Sequence, residues 1–254
     1  QAALDAVDGK GMWIWQLADT AGGDPAAIVA DAKRAGLHQL WVRVADSKDG
    51  FYGADALSRL VPLAHQQGIA VMGWGFPYLY DPVRDANWTV EAIDWSSAGA
   101  HLDGFSADIE TASEGVDLTA QRIAVYLSVI RHERPGELLV ATVFPPTDHQ
   151  WATYPYQTIA PYVDAFAPMV YWGCEQPVLA AGQALSRLGP LAPVHLIGQA
   201  YNMADEGGRT APPSPAEINA FLVTAHQGGA LGASFWSWQA IDPDEWSAMA
   251  SFAW

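Results

Sequence analysis

The sequence predicts a (β/α)8 barrel that occupies residues 1–254 as a single domain. Short apolar segments alternate eight times with segments of helical period, and about 250 residues is the usual length of this fold. Polar and aromatic residues follow the apolar segments, where such a barrel places its active site. A doubly wound open sheet is the alternative, but no glycine-rich phosphate turn follows the first strand at Trp15-Gln16-Leu17-Ala18.

The apolar segments predict strands and the amphipathic segments predict helices, in strict alternation. The predicted strands are residues 12–17, 39–45, 70–76, 102–110, 138–144, 165–172, 195–201 and 233–238. The predicted helices are residues 25–35, 54–67, 83–98, 118–132, 156–163, 177–188, 215–227 and 243–252. Three of these helices begin with a capping residue followed by proline, at Asp24-Pro25, Ser214-Pro215 and Asp242-Pro243.

Composition excludes several classes of partner. The chain has 28 acidic and 12 basic residues, so its formal charge of −16 disfavours nucleic acid and anionic membrane surfaces. No apolar run is long enough to span a membrane. Cys174 is the single cysteine, so the sequence predicts no intrachain disulfide, and no cluster has the spacing of a metal site. We therefore expect neither metal nor cofactor, and the oligomeric state is left open.

Polar and aromatic residues at the strand ends indicate a carbohydrate site. The chain has 12 Trp, 9 Tyr and 8 Phe, and aromatic rings stack on the flat apolar faces of sugars. Some tryptophans must instead fill the barrel, whose interior is packed. Arg43 is expected either to pair with Asp108 or to bind a substrate carboxylate. The candidate substrate-binding residues are Trp15, Arg43, Trp74, Trp172, Gln199, Tyr201, Asn202, Trp236 and Trp238.

The fourth predicted strand carries the most informative pattern. Successive strand residues face opposite sides, so apolar Phe105, Ala107 and Ile109 form one face. Ser106, Asp108 and Glu110 form the other face and must point into the barrel. Two carboxyl groups in one confined site raise the pKa of at least one of them, which makes a neutral general acid available near neutral pH. The pattern therefore predicts a glycosidase-type acid pair.

Residues 103–110 and two further motifs resemble glycoside hydrolase family 18, the chitinases and endo-N-acetylglucosaminidases. The family pattern D-G-x-D-x-D-x-E is matched at Asp103, Asp108 and Glu110, and Ser106 replaces the middle aspartate. The strand-six motif M-x-Y-D appears as Met169-Val170-Tyr171-Trp172, with tryptophan in place of the acid. Trp236 matches the tryptophan that ends the last strand.

The resemblance implies a retaining hydrolase of β-linked N-acetylhexosamine glycans, such as chitin or a cell-wall polymer. In that scheme Glu110 donates the proton, Asp108 orients the substrate acetamido group, Tyr171 hydrogen-bonds its carbonyl, and Trp236 lies under the sugar ring. No acid ends the seventh strand, which also favours the substrate's own acetamido group as nucleophile.

The sequence leaves three alternative functions open. Family 25 lysozymes also have Asp-x-Glu on strand four, but they carry an aspartate in strand one that 13–16 lacks. A catalytically silent carbohydrate-binding module would be expected to lack Glu110. A glycosidase acting on a sugar without an acetamido group could use Asp46, Asp148 or Glu175 as its second carboxylate. The chain begins without a signal peptide, and we expect a secreted or cell-surface protein from which one has been removed.

Overall fold

The computed structural model describes residues 4–254, which form a closed barrel of eight parallel strands. The strands are β1 (Gly9–Ile14), β2 (Gln39–Asp46), β3 (Ala70–Phe76), β4 (Gly104–Asp108), β5 (Leu139–Val143), β6 (Ala165–Val170), β7 (His195–Gln199) and β8 (Gly232–Trp236). Gly11 of β1 is in register with Gln39 of β2 and with Ser234 of β8, and this double pairing closes the barrel. The predicted (β/α)8 fold is confirmed.

Helices cover the outside of the barrel. They are α1 (Pro25–Arg34), α2 (Ala54–Gln66), α3 (Pro82–Asp94), α4 (Ala120–Glu133), α5 (Asp148–Thr153), α6 (Tyr156–Ile159), α7 (Pro177–Leu188), α8 (Pro215–Gln227) and α9 (Pro243–Ser251). The predicted helix 156–163 is α6 followed by a 3-10 turn (Ala160–Tyr162), and α5 is a short helix that the sequence does not predict. Asp24, Ser214 and Asp242 are N-caps as predicted, and the last two also form capping boxes. No helix within residues 4–254 is long and apolar enough to cross a membrane.

The first strand begins three residues before its predicted start, in the segment Gly9-Lys10-Gly11. Gly11 lies inside β1, and a Cβ there would stand 2.9 Å from Trp41 Nε1. The Trp41 ring thus leaves no room for a side chain at position 11. Glycine stands there instead of an apolar residue, so the start of β1 lacks the apolar pattern that predicts a strand. Because β1 ends at Ile14, Trp15 lies beyond the strand and is 45% exposed.

Three buried tryptophans fill the middle of the barrel, and we call Trp13, Trp41 and Trp74 the tryptophan plug. The rings of Trp13 and Trp41 stack with their centroids 4.7 Å apart, and the Trp74 ring lies 5.7 Å from that of Trp13. Each of the three side chains is at most 2% exposed. The barrel is therefore closed below its C-terminal end, as close packing of barrel interiors requires.

A chain of hydrogen bonds anchors the plug to the strands beneath it. The indole N–H of Trp13 donates to Ser234 Oγ at 2.7 Å, so the Ser234 hydroxyl donates in turn to His195 Nε2 at 2.8 Å. His195 Nδ1 donates to the carbonyl of Val7 at 2.8 Å. Burial lowers the pKa of His195 to about 4, so the ring stays neutral with its proton on Nδ1. Each of the side-chain polar groups of Trp13, Ser234 and His195 therefore has a partner.

A buried lysine fastens the last helix to the first strand. The Nζ of Lys10 donates to the carbonyls of Ala35, Met249 and Phe252 at 3.0, 2.9 and 2.6 Å. These carbonyls lie at the ends of α1 and α9, where helices leave acceptors without partners. A cation is also favoured at a helix C-terminus. Lys10 therefore serves the fold rather than the site.

Candidate active site

A cavity of about 490 Å³ opens at the C-terminal end of the barrel, above the tryptophan plug. We call it the mouth cavity. Its carboxylate-bearing lining residues are Asp108, Glu110, Glu114 and Glu206. Its aromatic lining residues are Trp13, Phe144, Tyr171, Tyr201 and Trp236. This is the end of the fold that carries active sites, and the volume suits one or two sugar rings.

Asp108 and Glu110 both reach the mouth cavity from the fourth strand. β4 ends at Asp108, and Glu110 lies two residues further along the chain. Ile109 keeps the segment extended between them, because its N–H donates to the carbonyl of Thr142 at 2.9 Å and its carbonyl accepts from the Tyr154 hydroxyl at 2.7 Å. The alternation predicted from the sequence thus continues past the strand end, and both carboxyl groups share one face.

Neither carboxyl group has a hydrogen-bonding partner within the described residues. Asp108 Oδ1 is fully buried without a partner, although the residue as a whole is 8% exposed. Burial raises the pKa of Asp108 and, more strongly, that of Glu110, whose charge is further opposed by Asp108 and Glu114. At neutral pH Glu110 is therefore protonated. A buried acid with an open oxygen is suited to donate a proton to a bound molecule.

Ser106, which replaces an acid of the family pattern, lies directly beneath Asp108. It is fully buried, and its hydroxyl forms a hydrogen bond of 2.8 Å with that of Thr142. The two hydroxyls satisfy one another. Asp108 therefore has a hydroxyl beneath it where the family pattern has a further carboxylate, and this hydroxyl is already paired. The buried Oδ1 of Asp108 is left for a ligand.

Two tyrosines face the acid pair from the sixth and seventh strands. The rings of Tyr171 and Tyr201 meet edge to face with centroids 5.5 Å apart. Within residues 4–254 the Tyr171 hydroxyl has no hydrogen-bonding partner, whereas that of Tyr201 donates to Glu206 Oε2 at 3.4 Å. Burial and the neighbouring acids raise the pKa of Tyr171 well above its ordinary value. Its hydroxyl is thus a proton-bearing donor with nothing to donate to.

Trp236 forms the wall opposite the acid pair, because β8 and β4 are four strands apart in a closed barrel of eight. Its ring centroid lies 5.6 Å from that of Trp74 and 6.4 Å from that of Trp13. The tryptophan plug therefore supports it from below. Its remaining surface lines the mouth cavity, where a sugar ring would find a flat apolar face.

The other predicted tryptophans lie outside the mouth cavity. Trp74 belongs to the plug, and its indole N–H donates to the carbonyl of Ile14 at 3.3 Å. Trp172 points out of the barrel and packs on Phe221, with ring centroids 5.3 Å apart. Trp238 packs against a tryptophan of α9, and Trp15 is exposed beyond β1.

The predicted polar binding residues have structural partners. Arg43 Nη2 pairs with Asp46 Oδ2 at 3.1 Å rather than with Asp108, although its charge opposes the rise in the Asp108 pKa. Gln199 is fully buried; its Oε1 accepts from the N–H of Gly173 and its Nε2 donates to the carbonyl of Tyr201, both at 2.8 Å. It therefore positions the chain that carries Tyr201.

Asn202 and the alternative carboxylates also lie apart from the acid pair. Asn202 Oδ1 accepts from a backbone N–H two residues later at 3.1 Å and so begins a short turn. Asp148 is 91% exposed and pairs with Arg187. Glu175 lines a separate surface groove beside Asp148. None of these residues lines the mouth cavity.

Two carboxylates of the mouth cavity are missing from the sequence-based set. Glu114 ends a 3-10 turn that follows β4, and Glu206 ends a similar turn after β7. Both are exposed at the rim. Loop residues have no periodicity that would predict their direction, although the short distance of each from a strand end is a usable signal. Within the part of the chain that is described, no group of three His, Cys, Asp or Glu is disposed to bind a metal ion.

No protein-family model matches this chain, and no curated protein matches it in sequence. Solved structures do match its fold. Active domain 2 of a thermostable chitinase from Pyrococcus furiosus, complexed with chito-oligosaccharides, is 15% identical with a TM-score of 0.69 over 97% of both chains.

Two further structures match at similar levels. The spore cortex-lytic enzyme of Bacillus cereus is 12% identical with a TM-score of 0.67, over 97% of this chain and 74% of that one. The endo-1,4-β-D-mannanase of Thermotoga petrophila is 11% identical with a TM-score of 0.66, over 91% and 88%. The fold is thus one shared with enzymes that act on polysaccharides.

Proposed function

We propose that this protein is a glycoside hydrolase that cleaves a β-linked N-acetylhexosamine glycan with retention of configuration, using the substrate's acetamido group as nucleophile. The observation that carries the proposal is the pair formed by Asp108 and Glu110, two carboxyl groups without partners in a cavity walled by aromatic rings. A packed protein seldom leaves buried polar groups unpaired without a functional reason. The polymer would be chitin-like or part of a cell wall, met by a secreted or cell-surface protein.

In the first step Glu110 gives its proton to the glycosidic oxygen, and the bond from that oxygen to the anomeric carbon breaks. The acetamido carbonyl oxygen attacks the anomeric carbon from the other face and forms a cyclic oxazolinium ion. Asp108 accepts a hydrogen bond from the acetamido N–H and, as a carboxylate, stabilises the positive charge. Tyr171 donates its free hydroxyl to the acetamido carbonyl oxygen and holds it in line for attack.

In the second step the deprotonated Glu110 removes a proton from a water molecule, whose oxygen attacks the anomeric carbon. The oxazolinium ring opens, the acetamido group is restored, and Glu110 is protonated again for the next cycle. Two displacements at one carbon return the original anomeric configuration. Trp236 supports the ring that distorts during both steps.

The test measures hydrolysis of defined oligosaccharides, with the anomer of the first-formed product identified by NMR. Glu110→Gln and Asp108→Asn are each expected to lower kcat by about 10²–10⁴-fold, the usual worth of a positioned acid or base. A thiazoline analogue of the oxazolinium ion is expected to inhibit competitively. Normal hydrolysis by Glu110→Gln would remove the acid assignment, and a product of inverted configuration would exclude the acetamido route.

Glu206 supports a second candidate, a double-displacement glycosidase acting on a sugar without an acetamido group. It reaches the mouth cavity from the seventh-strand side, while the acid lies on the fourth. Such enzymes need two carboxylates on one cavity. In that case the thiazoline would not inhibit, and Glu206→Gln would abolish turnover of every substrate.

A further inference from the structure

The charge of the mouth cavity is one-sided. Four carboxyl groups line it, and its lining within residues 4–254 includes no lysine, arginine or histidine. Glu114 and Glu206 are exposed at the rim. Glu114 raises the pKa values of Asp108 and Glu110, and Glu206 raises those of Tyr171 and Tyr201. The rim charges therefore act on the groups inside the cavity.

Nine of the twelve basic residues are engaged away from the mouth cavity. Eight arginines form ion pairs with carboxylates that do not line the mouth cavity. Lys10 is buried beneath α9 with backbone carbonyls as its partners. Among the described residues, neither Glu114 nor Glu206 has an ion-pair partner within 4.0 Å. Two unpaired charges flank a substrate cavity in a protein whose net charge is −16.

We propose that Glu114 and Glu206 bind protonated amino groups of the substrate, so that the preferred glycan is a partly de-N-acetylated hexosamine polymer. This inference rests on the proposed function and specifies its substrate class. The acetamido group needed for the reaction occupies the unpartnered Asp108 and Tyr171, and neighbouring sugars present free amines to the rim. An ammonium group beside a carboxylate is a charge-assisted contact, and a negative cavity concentrates cationic substrates near itself.

The same charges select against anionic glycans. A sugar that carries a carboxylate, such as a muramic or uronic acid, would bring a like charge between Glu114 and Glu206 with no cation of the lining to neutralise it. Like charges placed together cost affinity and slow association. The rim therefore disfavours the muramidase alternative and leaves neutral and cationic hexosamine polymers, of which the cationic form gains the additional contacts.

The test compares one oligosaccharide preparation in two forms, partly de-N-acetylated and fully re-N-acetylated with acetic anhydride. The pH is kept low enough to protonate the amino groups of the sugar. We expect kcat/KM to be at least about threefold higher for the amine-bearing form, the size of exposed ion-pair contacts. Added salt should remove this preference, because it screens exposed charges.

Variants assign the preference to the rim. Glu114→Gln and Glu206→Gln should each lower the ratio of the two kcat/KM values, and the double variant should bring the ratio to about one. Asp205→Asn is the matched control. Asp205 lies in the same exposed turn as Glu206 but does not line the cavity, so its substitution removes one negative charge from that turn and leaves the lining intact. It should keep the wild-type ratio. A ratio at or below one in the wild type, or a ratio unchanged in the double variant, would overturn the proposal.

A binding measurement separates this inference from the proposed function. Calorimetry with Glu110→Gln gives the affinities of both forms without turnover. If neither form is hydrolysed by the wild type yet the amine-bearing form binds more tightly, the proposed reaction fails and the rim assignment stands. If both are hydrolysed but bind equally, the rim assignment fails alone. Loss of all turnover in Glu206→Gln would make Glu206 the nucleophile and remove its amine-binding role.

Discussion

The tryptophan plug and the mouth cavity are adjacent layers of the same barrel, and they differ in the kind of polar group that lacks a partner. In and under the plug, Trp13, Ser234 and His195 form a hydrogen-bond chain in which each donor has its acceptor. The indole N–H of Trp41 and the side-chain amide of Gln39 lack a partner within residues 4–254, and both are neutral groups. In the mouth cavity, Asp108 Oδ1 and the Tyr171 hydroxyl have no partner in the described chain. Both layers are aromatic and both are largely buried.

The difference teaches which observation marks a site. Tryptophan content does not, because the plug is richer in tryptophan than the lining of the cavity above it, and its three side chains are at most 2% exposed. Lack of a partner alone does not mark it either, because Trp41 Nε1 and the Gln39 amide are buried without partners among the described residues and do not line the mouth cavity. Carboxyl and hydroxyl groups that both lack a partner and line the cavity do mark it, since a ligand can supply the missing hydrogen bond. Three substitutions test whether the plug contributes mainly to stability and the mouth cavity mainly to activity.

The largest expected effect is the loss of stability in Trp13→Ala. The substitution empties a fully packed position and also removes the donor to Ser234, so we expect a decrease of about 3–5 kcal/mol in the free energy of unfolding. Urea denaturation followed by circular dichroism measures it. Trp15→Ala, two residues along the chain and 45% exposed, is the control and should cost less than about 1 kcal/mol. Equal losses in the two variants would contradict the distinction between layers.

A smaller effect is expected on activity in Tyr171→Phe. The hydroxyl has no partner in the protein, so its loss should leave the free energy of unfolding unchanged while lowering kcat by about 10–100-fold. Tyr154→Phe is the matched control. Its hydroxyl donates to the carbonyl of Ile109 at 2.7 Å, so its loss should cost about 1 kcal/mol of stability. Destabilisation by Tyr171→Phe would show that its hydroxyl has a structural role.

The smallest expected effect is a gain of stability in Glu110→Gln. Burial raises the pKa of Glu110 from its ordinary value of 4.5 to about 9. Between these two pH values the folded state binds more protons than the unfolded state, so stability falls as the pH rises. Glutamine does not titrate, and the variant should be more stable than the wild type by about 1 kcal/mol at neutral pH, the equivalent of roughly one pKa unit. The difference should vanish in acid.

Glu217→Gln is the control of opposite sign. The guanidinium of Arg209 lowers the pKa of Glu217 to about 2, so its ionised form stabilises the protein at neutral pH and this contribution is lost as the pH falls through that value. The variant should therefore be less stable than the wild type at neutral pH. Thermal denaturation across a pH series measures both variants. A loss of stability in Glu110→Gln would mean that this glutamate has a partner in the fold.

The sequence predicts the fold and the direction of the acid pair because both depend on periodicity. Phe105, Ala107 and Ile109 are fully buried outside the barrel, and Asp108 and Glu110 face inward as the alternation requires. The same rule applied to strand six places Trp172 outward once Tyr171 faces inward. Position along the strand is harder, because alternation gives the face of a residue but not its depth. Trp74 faces inward and lies too deep to reach the cavity.

Residues in loops follow no periodic pattern from which the direction of a side chain could be predicted. Glu114 and Glu206 face the cavity because two short turns end there, and neither turn follows a repeating pattern. Arg43 illustrates a third difficulty, competition between partners. Asp46 lies three residues away on the same strand, and the guanidinium pairs with it rather than with Asp108. Strand periodicity does not determine which of two acids such a guanidinium binds.

The contact of Trp236 with Trp13 and Trp74 gives the protein a built-in optical signal. Indole rings whose centroids lie 4.7–6.4 Å apart are close enough for their electronic transitions to couple. A sugar stacked on Trp236 would change the polarity on one side of this coupled group while the rest stays dry. Occupancy of the cavity should therefore be visible in near-ultraviolet circular dichroism and in intrinsic fluorescence, with no label attached.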